Sequence, residues 1–176
     1  NKKIKLKLND VKYLLNPYNF TINIKTKDPQ ILLGDRSLKI KEIQTNVALK
    51  NLYNSQFSID DLEISTKKIK LNNIISFARI FENSPELFIL DKFIKDGNAI
   101  ATINLSFDKN GKIKKDYKIK GSVQRAKINI LNKHNLKNLN FDFNIEENEF
   151  LLKQLDVKFN DINLISPFIN VNRKND

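Results

Sequence analysis

The hydrophobic positions of this chain alternate as in β-strands, but the alternation slips by one residue at four places. A one-residue slip moves the apolar side chains to the opposite face of a sheet unless a β-bulge or a bend absorbs the extra residue. We therefore predict long strands that bend at set points, as a strongly twisted and curved sheet requires. The four instances are Leu38, Ile40, Ile43, Thr45; Phe57, Ile59, Leu62, Ile64; Ile119, Val123, Ala126, Ile128; and Val157, Phe159, Ile162, Leu164.

Short polar turns separate the strands, and such connections favour antiparallel neighbours. Gly34-Asp35 predicts one turn, and Asp108-Lys109-Asn110-Gly111 predicts a tight hairpin in which Asn-Gly supplies positive φ. Asn16-Pro17 predicts a turn or a single helical turn in a break between Asp10 and Asn19.

The middle of the chain follows a helical period instead, at Ile74, Ile75, Phe77, Ala78 and Phe81. Ser84 and Pro85 then predict the N-cap and first position of a second helix. This second helix is apolar almost all round, so we expect it to be buried on most sides, on the sheet or in the mouth of its concavity. The helical insertion is predicted for about residues 73–95.

The fold class expected from these patterns is mainly β. We predict a long, strongly twisted and curved antiparallel sheet with one short helical region in the middle, forming a single segment over 1–176 of a longer chain. When one face of a sheet is apolar, that face is normally covered by a second sheet or by several helices, and this chain supplies one helical region. The apolar face of the sheet is therefore expected either to close on itself as a barrel or to remain an open groove for an apolar ligand.

The open groove is the interpretation we develop, with acyl chains as the ligand that such a surface suits. The lipid-binding residues predicted to face the groove are Leu38, Ile40, Val47, Leu49, Phe57, Ile59, Ile103, Leu105, Phe141 and Phe143. Two alternatives stay open: a scaffold that docks partner proteins through its open strand edges, and a closed barrel or sandwich around one small apolar ligand.

The net charge of +11 invites a nucleic-acid interpretation. However, only Arg36, Arg79, Arg125 and Arg173 among the 31 basic residues are arginine, the side chain that base and phosphate recognition favours. The lysines are spread along the strands, so we expect a solvated face that blocks edge-to-edge pairing, or weak attraction to anionic lipid headgroups. No nucleic-acid partner is expected.

Candidate catalytic groups are few. The chain has no cysteine, and its single histidine, His134, lies in a polar segment predicted to be an exposed turn. Asp60-Asp61 and Glu146-Glu147 are adjacent residues whose side chains point to opposite faces of a strand, so neither pair can share a proton without a third element. Asp60-Asp61 and Asn160-Asp161 fall within phase slips and are predicted to form bulges. No enzymatic activity, metal or cofactor is expected.

One family resemblance accompanies these patterns. Three stretches of the chain resemble AsmA-like proteins of Gram-negative envelopes. They are G-N-A-I-A-T-I-N-L-S-F-D-K-N-G-K-I from Gly97, D-Y-K-I-K-G-S-V-Q-R-A-K-I ending at Ile128, and L-N-F-D-F-N-I from Leu139. Upstream, P-Q-I-L-L-G and S-L-K-I-K-E-I-Q-T-N-V-A-L are similar to the bent-strand units of that family. The resemblance covers most of the chain, and its motifs are structural.

The resemblance implies a location and a set of partners. AsmA-like proteins are related to bridge-like lipid transfer proteins, are anchored in the inner membrane and build an apolar β-groove across the periplasm. It implies a periplasmic segment whose anchor lies outside these residues, with phospholipid as the ligand and other envelope proteins as further partners. It brings no catalytic residues.

Overall fold

The computed structural model describes residues 4–33, 36–54, 56–81, 85–131 and 133–172. The protein is mainly β, with 67% strand, one twelve-stranded antiparallel sheet that is not closed into a barrel, and three short helices. The predicted mainly β antiparallel fold is confirmed, and the closed-barrel alternative is wrong. The strands are β1 Ile4–Lys7, β2 Val11–Asn16, β3 Thr21–Lys27, β4 Gln30–Leu33, β5 Arg36–Ala48, β6 Ile59–Thr66, β7 Ile69–Lys70, β8 Ile94–Ser106, β9 Lys118–Ile130, β10 His134–Ile145, β11 Glu149–Phe159 and β12 Ile162–Asn172; the helices are α1 Leu49–Tyr53, α2 Leu71–Phe81 and α3 Pro85–Phe93.

The strand order is β1-β4-β5-β6-β8-β9-β10-β11-β12, with β2 paired to β3, β3 to β5, and β7 to β8. The residues form two compact units. Unit 1 comprises Asn1–Lys67 and Thr102–Ile119, and unit 2 comprises Lys68–Ala101 and Lys120–Asp176.

Unit 1 is built on bent strands. β4 and β3 pair with successive parts of β5, and β1 and β2 pair with β4 and β3 in turn. Asp10 and Asp28 lie at the two bends with φ of 44° and 52°. Short polar side chains tolerate this left-handed conformation better than most residues do. The hydroxyl of the buried Thr26 donates a hydrogen bond to the carbonyl of Asn9 beside the first bend.

Three of the four predicted slips are bulges or irregularities. The β5–β6 register shifts between Ile40 and Glu42, and again where Asn46 pairs Asp61 but Val47 pairs Ile59. In β9, Arg125 has a φ of 50°. Its backbone N–H donates 2.8 Å to Asn140 Oδ1, so a side chain satisfies a backbone donor at the bend.

The fourth slip is not a bulge, so the prediction for Asn160-Asp161 is wrong. These residues form the two-residue turn between β11 and β12, since Phe159 pairs directly with Ile162. Both have positive φ, 43° and 72°, as a type I′ hairpin turn requires. Two further left-handed residues interrupt the β10–β11 ladder, Asn138 and Gln154.

Unit 2 has its core on one face of the sheet, under helix α2. The buried residues are Ala99, Val123, Ala126, Leu139 and Val157. Leu71 and Ile74 of α2 pack against them, so this first helix covers this part of the sheet. The two longer helices together begin at Leu71 and end at Phe93, close to the bounds of the predicted insertion.

Helix α3 departs from the expectation that it is buried on most sides. Phe88, Ile89 and Leu90 are 44%, 47% and 43% exposed. Phe88 is instead flanked by cations, with Arg79 at 5.4 Å and Lys92 at 4.5 Å from its ring centroid. The predicted cap Ser84 and the predicted turn Gly34-Asp35 lie outside the described residues.

The turn predictions have mixed outcomes. Asp108–Gly111 forms the predicted tight turn, with the Gly111 N–H donating 3.0 Å to the Asp108 carbonyl. Gly111, and not Asn110, carries the positive φ of 78°. The predicted break between Asp10 and Asn19 is wrong over Val11–Asn16, which is strand β2.

Candidate functional site

One face of the unit 1 sheet is apolar across five strands. Directly paired residues of antiparallel strands point to the same face. Ile24 pairs Thr45, Thr45 pairs Leu62, and Leu62 pairs Leu105, so all four lie on one face. This surface, which we name the unit 1 apolar face, comprises Val11, Tyr13, Leu15, Ile22, Ile24, Thr26, Leu38, Ile40, Ile43, Thr45, Val47, Ile59, Leu62, Ile64, Ile103 and Leu105.

The bulges keep these residues together. Without the shifts in β5 and β6, Leu38 and Ile59 would point away from Ile43 and Leu62. Five strands at spacings of about 4.8 Å give this face a width of roughly 19 Å. None of these residues is charged, and the hydroxyls of Thr26 and Thr45 donate to backbone carbonyls, so the face presents mainly hydrocarbon, with the exposed phenol of Tyr13 at its edge.

The opposite face of unit 1 is mainly polar, with Leu14 and Leu32 among its apolar exceptions. Asn23 Nδ2 donates 2.9 Å to Asn46 Oδ1, and Asn46 Nδ2 donates 3.0 Å to Asp61 Oδ1, which makes a ladder across three strands. Lys25 and Glu42 form an ion pair of 2.6 Å on the same face. The unit 1 sheet is thus clearly two-sided.

Six of the ten predicted lipid-binding residues lie on the unit 1 apolar face: Leu38, Ile40, Val47, Ile59, Ile103 and Leu105. Ile40 is only 1% exposed and therefore belongs to the interior, whereas Ile103 and Leu105 are half-buried. Leu49 lies in helix α1, not in a strand. Phe57 precedes β6 and packs on Phe107 with the ring centroids 5.4 Å apart.

The other two predicted residues, Phe141 and Phe143, belong to unit 2. Both are half-buried against its core, and their ring centroids are 6.3 Å apart. Gly121 makes room for Phe143, because a Cβ at position 121 would lie 2.6 Å from the Phe143 ring. The unit 2 apolar face, defined here as Leu136, Leu139, Phe141, Phe143, Leu155 and Val157, is partly covered by α2.

A polar depression of about 410 Å³ lies beside the bends of unit 2 and was not predicted. Its lining includes Arg125, Asn140, Asp142 and Gln154. The spacings Leu136-x-x-Leu139 and Leu152-x-x-Leu155 carry the same slip signal as the predicted bulges, and they identify the bends around it.

Catalytic groups are not brought together in the described part of the chain. His134 is exposed as predicted but opens strand β10, where Nδ1 lies 3.2 Å from Asn160 Nδ2 and the ring stacks on Phe159. Among the described residues no three His, Cys, Asp or Glu side chains form a metal-binding group. Backbone N–H groups of Lys112 and Asn110 hold the pKa of Asp108 below its ordinary value, in a turn that serves the hairpin.

The described helices are all too short to cross a bilayer. Protein-family models, curated proteins and solved structures were each compared with this chain, and none of them matches it.

Proposed function

We propose that this chain is a section of a periplasmic β-groove that shields lipid acyl chains during phospholipid transport between inner and outer membranes. The observation that carries the proposal is the unit 1 apolar face, five strands wide and free of charge. The resemblance of Gly97–Ile128 to AsmA-like proteins supplies the biological setting. We propose no catalytic role, and the anchor would lie outside this segment.

The physical chemistry of the face suits an acyl chain better than a specific small molecule. Apart from the phenol of Tyr13 at its edge and the internally bonded hydroxyls of Thr26 and Thr45, its side chains have no hydrogen-bond donors or acceptors. Binding would therefore come mainly from burial at about 25 cal/mol per Å², or about 0.8 kcal/mol per methylene. Half-buried residues such as Ile103 and Leu105 can still lose exposed area to a ligand. Selectivity for one acyl chain over another would be weak.

The test is mass spectrometry of organic extracts from the purified chain, produced in an envelope-targeted form and compared with a matched blank. Ile103→Lys places a charge on the apolar face, and Asn104→Lys places the same charge on the opposite face, across from Glu63. We expect phospholipid at a reproducible stoichiometry in the native chain and in Asn104→Lys, and at least a several-fold loss in Ile103→Lys.

A folded native chain free of phospholipid would overturn the proposal, as would equal lipid content in the two lysine variants. Should Ile103→Lys fail to fold, Tyr13→Lys provides the same test, because Tyr13 lies on the same face and is 79% exposed. Circular dichroism of each variant establishes the folded state.

A second candidate is a scaffold for outer-membrane biogenesis that acts through exposed strand edges, and strand β12 favours it. Ile162–Asn172 contains no charged residue, and Ile165 and Phe168 are 79% and 62% exposed. Pro167 limits this role. Counting from the Phe159–Ile162 pair, the N–H position of residue 167 faces away from β11 toward the open edge, where proline has no N–H to donate to an added strand. The scaffold predicts a specific envelope partner lost in Ile165→Lys, with no phospholipid in the extract.

A further inference from the structure

Lysines gather on the polar face of unit 1. Lys7 pairs Gln30, which pairs Lys39, so Lys7 and Lys39 share one face. Lys12 pairs Lys25 on β2 and β3. With Lys5 and Lys27, these residues form a surface that we name the basic face: Lys5, Lys7, Lys12, Lys25, Lys27 and Lys39.

Few of the lysines on the basic face are neutralised by ion pairs within the described residues. Lys25 is ion-paired with Glu42, and the described part of the chain provides no ion pair for the other five lysines. All five are exposed. Like charges directly opposite each other destabilise a strand pair, and Lys12 faces Lys25 in this way.

The acidic side chains nearby do not cancel this charge. Asp61 and Glu63 lie on the same face in β6, which is two strands from β3 and next to β5, and Asp61 accepts hydrogen bonds from Asn46. At the two bends, Asp28 forms an ion pair with Lys67 at 2.5 Å, so Asp10 is the only one of these two carboxylates that remains to offset the lysines. The polar face of strands β1 to β5 therefore carries an excess of exposed cations.

We infer that the basic face docks this protein on a bilayer surface rich in anionic phospholipid. Lysine ammoniums are compact point charges that suit a layer of phosphate headgroups, and each contributes about 1 kcal/mol near such a surface. Nucleic acid fits less well, because the polar face carries neither an aromatic side chain for base stacking nor an arginine for bidentate contacts. The inference goes beyond acyl-chain shielding, since it concerns the opposite face of the sheet.

The experiment is vesicle co-sedimentation of the whole chain, with vesicles of phosphatidylglycerol and phosphatidylcholine compared with phosphatidylcholine alone. The test variant combines Lys7→Gln, Lys12→Gln and Lys39→Gln, and the control combines Lys109→Gln, Lys133→Gln and Lys153→Gln. All six lysines are exposed, and both variants lose the same charge.

We expect binding to the anionic vesicles only, and binding that weakens as salt is added. The test variant should bind about one hundred-fold more weakly, from three cations at about five-fold each, and the control less than about ten-fold more weakly. Equal losses in both variants would show attraction by net charge alone and overturn the inference. Tight binding of a single-stranded oligonucleotide without vesicle binding would overturn it in favour of nucleic acid.

The two proposals fail separately. A chain that carries phospholipid in its extract but ignores anionic vesicles contradicts the docking inference and leaves the proposed function standing. A lipid-free chain that binds anionic vesicles through the basic face contradicts the proposed function and supports the docking inference.

Discussion

Replacing Gly121 by alanine tests the packing that positions Phe143 in unit 2. Gly121 lies in β9, and a Cβ built there would overlap the carbonyl oxygen of Ile100 and lie 3.0 Å from the Cα of Ala101. It would also come 2.6 Å from the Phe143 ring. The two backbone contacts cannot be relieved by rotating a side chain, so the strands must separate locally.

Overpacking of this kind typically costs about 1–3 kcal/mol, and the backbone contact places Gly121→Ala at the upper end, about 3 kcal/mol. For a chain of this size that corresponds to a melting temperature lower by roughly 6–12 °C. Thermal unfolding followed by circular dichroism measures the change. Ser122→Ala is the control, since the neighbouring side chain lies beside the polar depression, and it should change stability by less than about 0.5 kcal/mol.

A double-mutant cycle with Phe143→Leu separates the two causes. If the ring contact dominated, Phe143→Leu would restore most of the loss in Gly121→Ala; we expect only partial recovery, because the Ile100 carbonyl remains in place. A melting temperature for Gly121→Ala equal to that of the native chain would refute the packing argument.

Two further predictions concern the turns. Because the pKa of Asp108 is lowered in the folded chain, chiefly by the N–H of Lys112, its carboxylate stabilises the hairpin above the unfolded pKa of about 3.9, and this contribution is lost as pH falls through the folded value. Asp108→Asn should therefore be less stable than the native chain at neutral pH, with the gap closing below about pH 4 in thermal melts; a gap that persists there would contradict this. Asp161→Gly relaxes the φ of 72° at the second turn position and gives up two exposed ion pairs with Lys137 and Lys158. We expect a net gain of about 0.5 kcal/mol in urea unfolding, and a loss would mean that the ion pairs outweigh the backbone.

The alternation of hydrophobic positions predicted much of this fold. It failed where a β-bulge and a hairpin turn produce the same spacing of apolar residues. A bulge and a two-residue hairpin turn both place apolar residues three positions apart on the same face. Ile59 and Leu62 flank the first, and Phe159 and Ile162 flank the second. The alternation cannot separate them, whereas the tolerance of Asn and Asp for positive φ at both positions points to the turn.

Edge strands and the exposed helix were harder to predict because the pattern assumes that apolar residues mark a core. In β2, Leu14 interrupts the alternation of Tyr13 and Leu15, and all three are more than half exposed. Helix α3 likewise keeps Phe88 at the surface between two cations. The partition of the chain into two compact units has no signal in its composition, because it arises from contacts between distant residues.

The bulges connect both proposals to one structural device. In β5, the irregularity between Ile40 and Glu42 keeps Leu38 on the same side as Ile43, and it therefore keeps Lys39 on the same side as Glu42. Removing the extra residue would exchange the faces of half a strand, placing a lysine among hydrocarbon and a leucine among ammoniums. An apolar face that could hold acyl chains and a basic face that could meet headgroups are thus consequences of the same slip in phase, and neither can be altered there without the other.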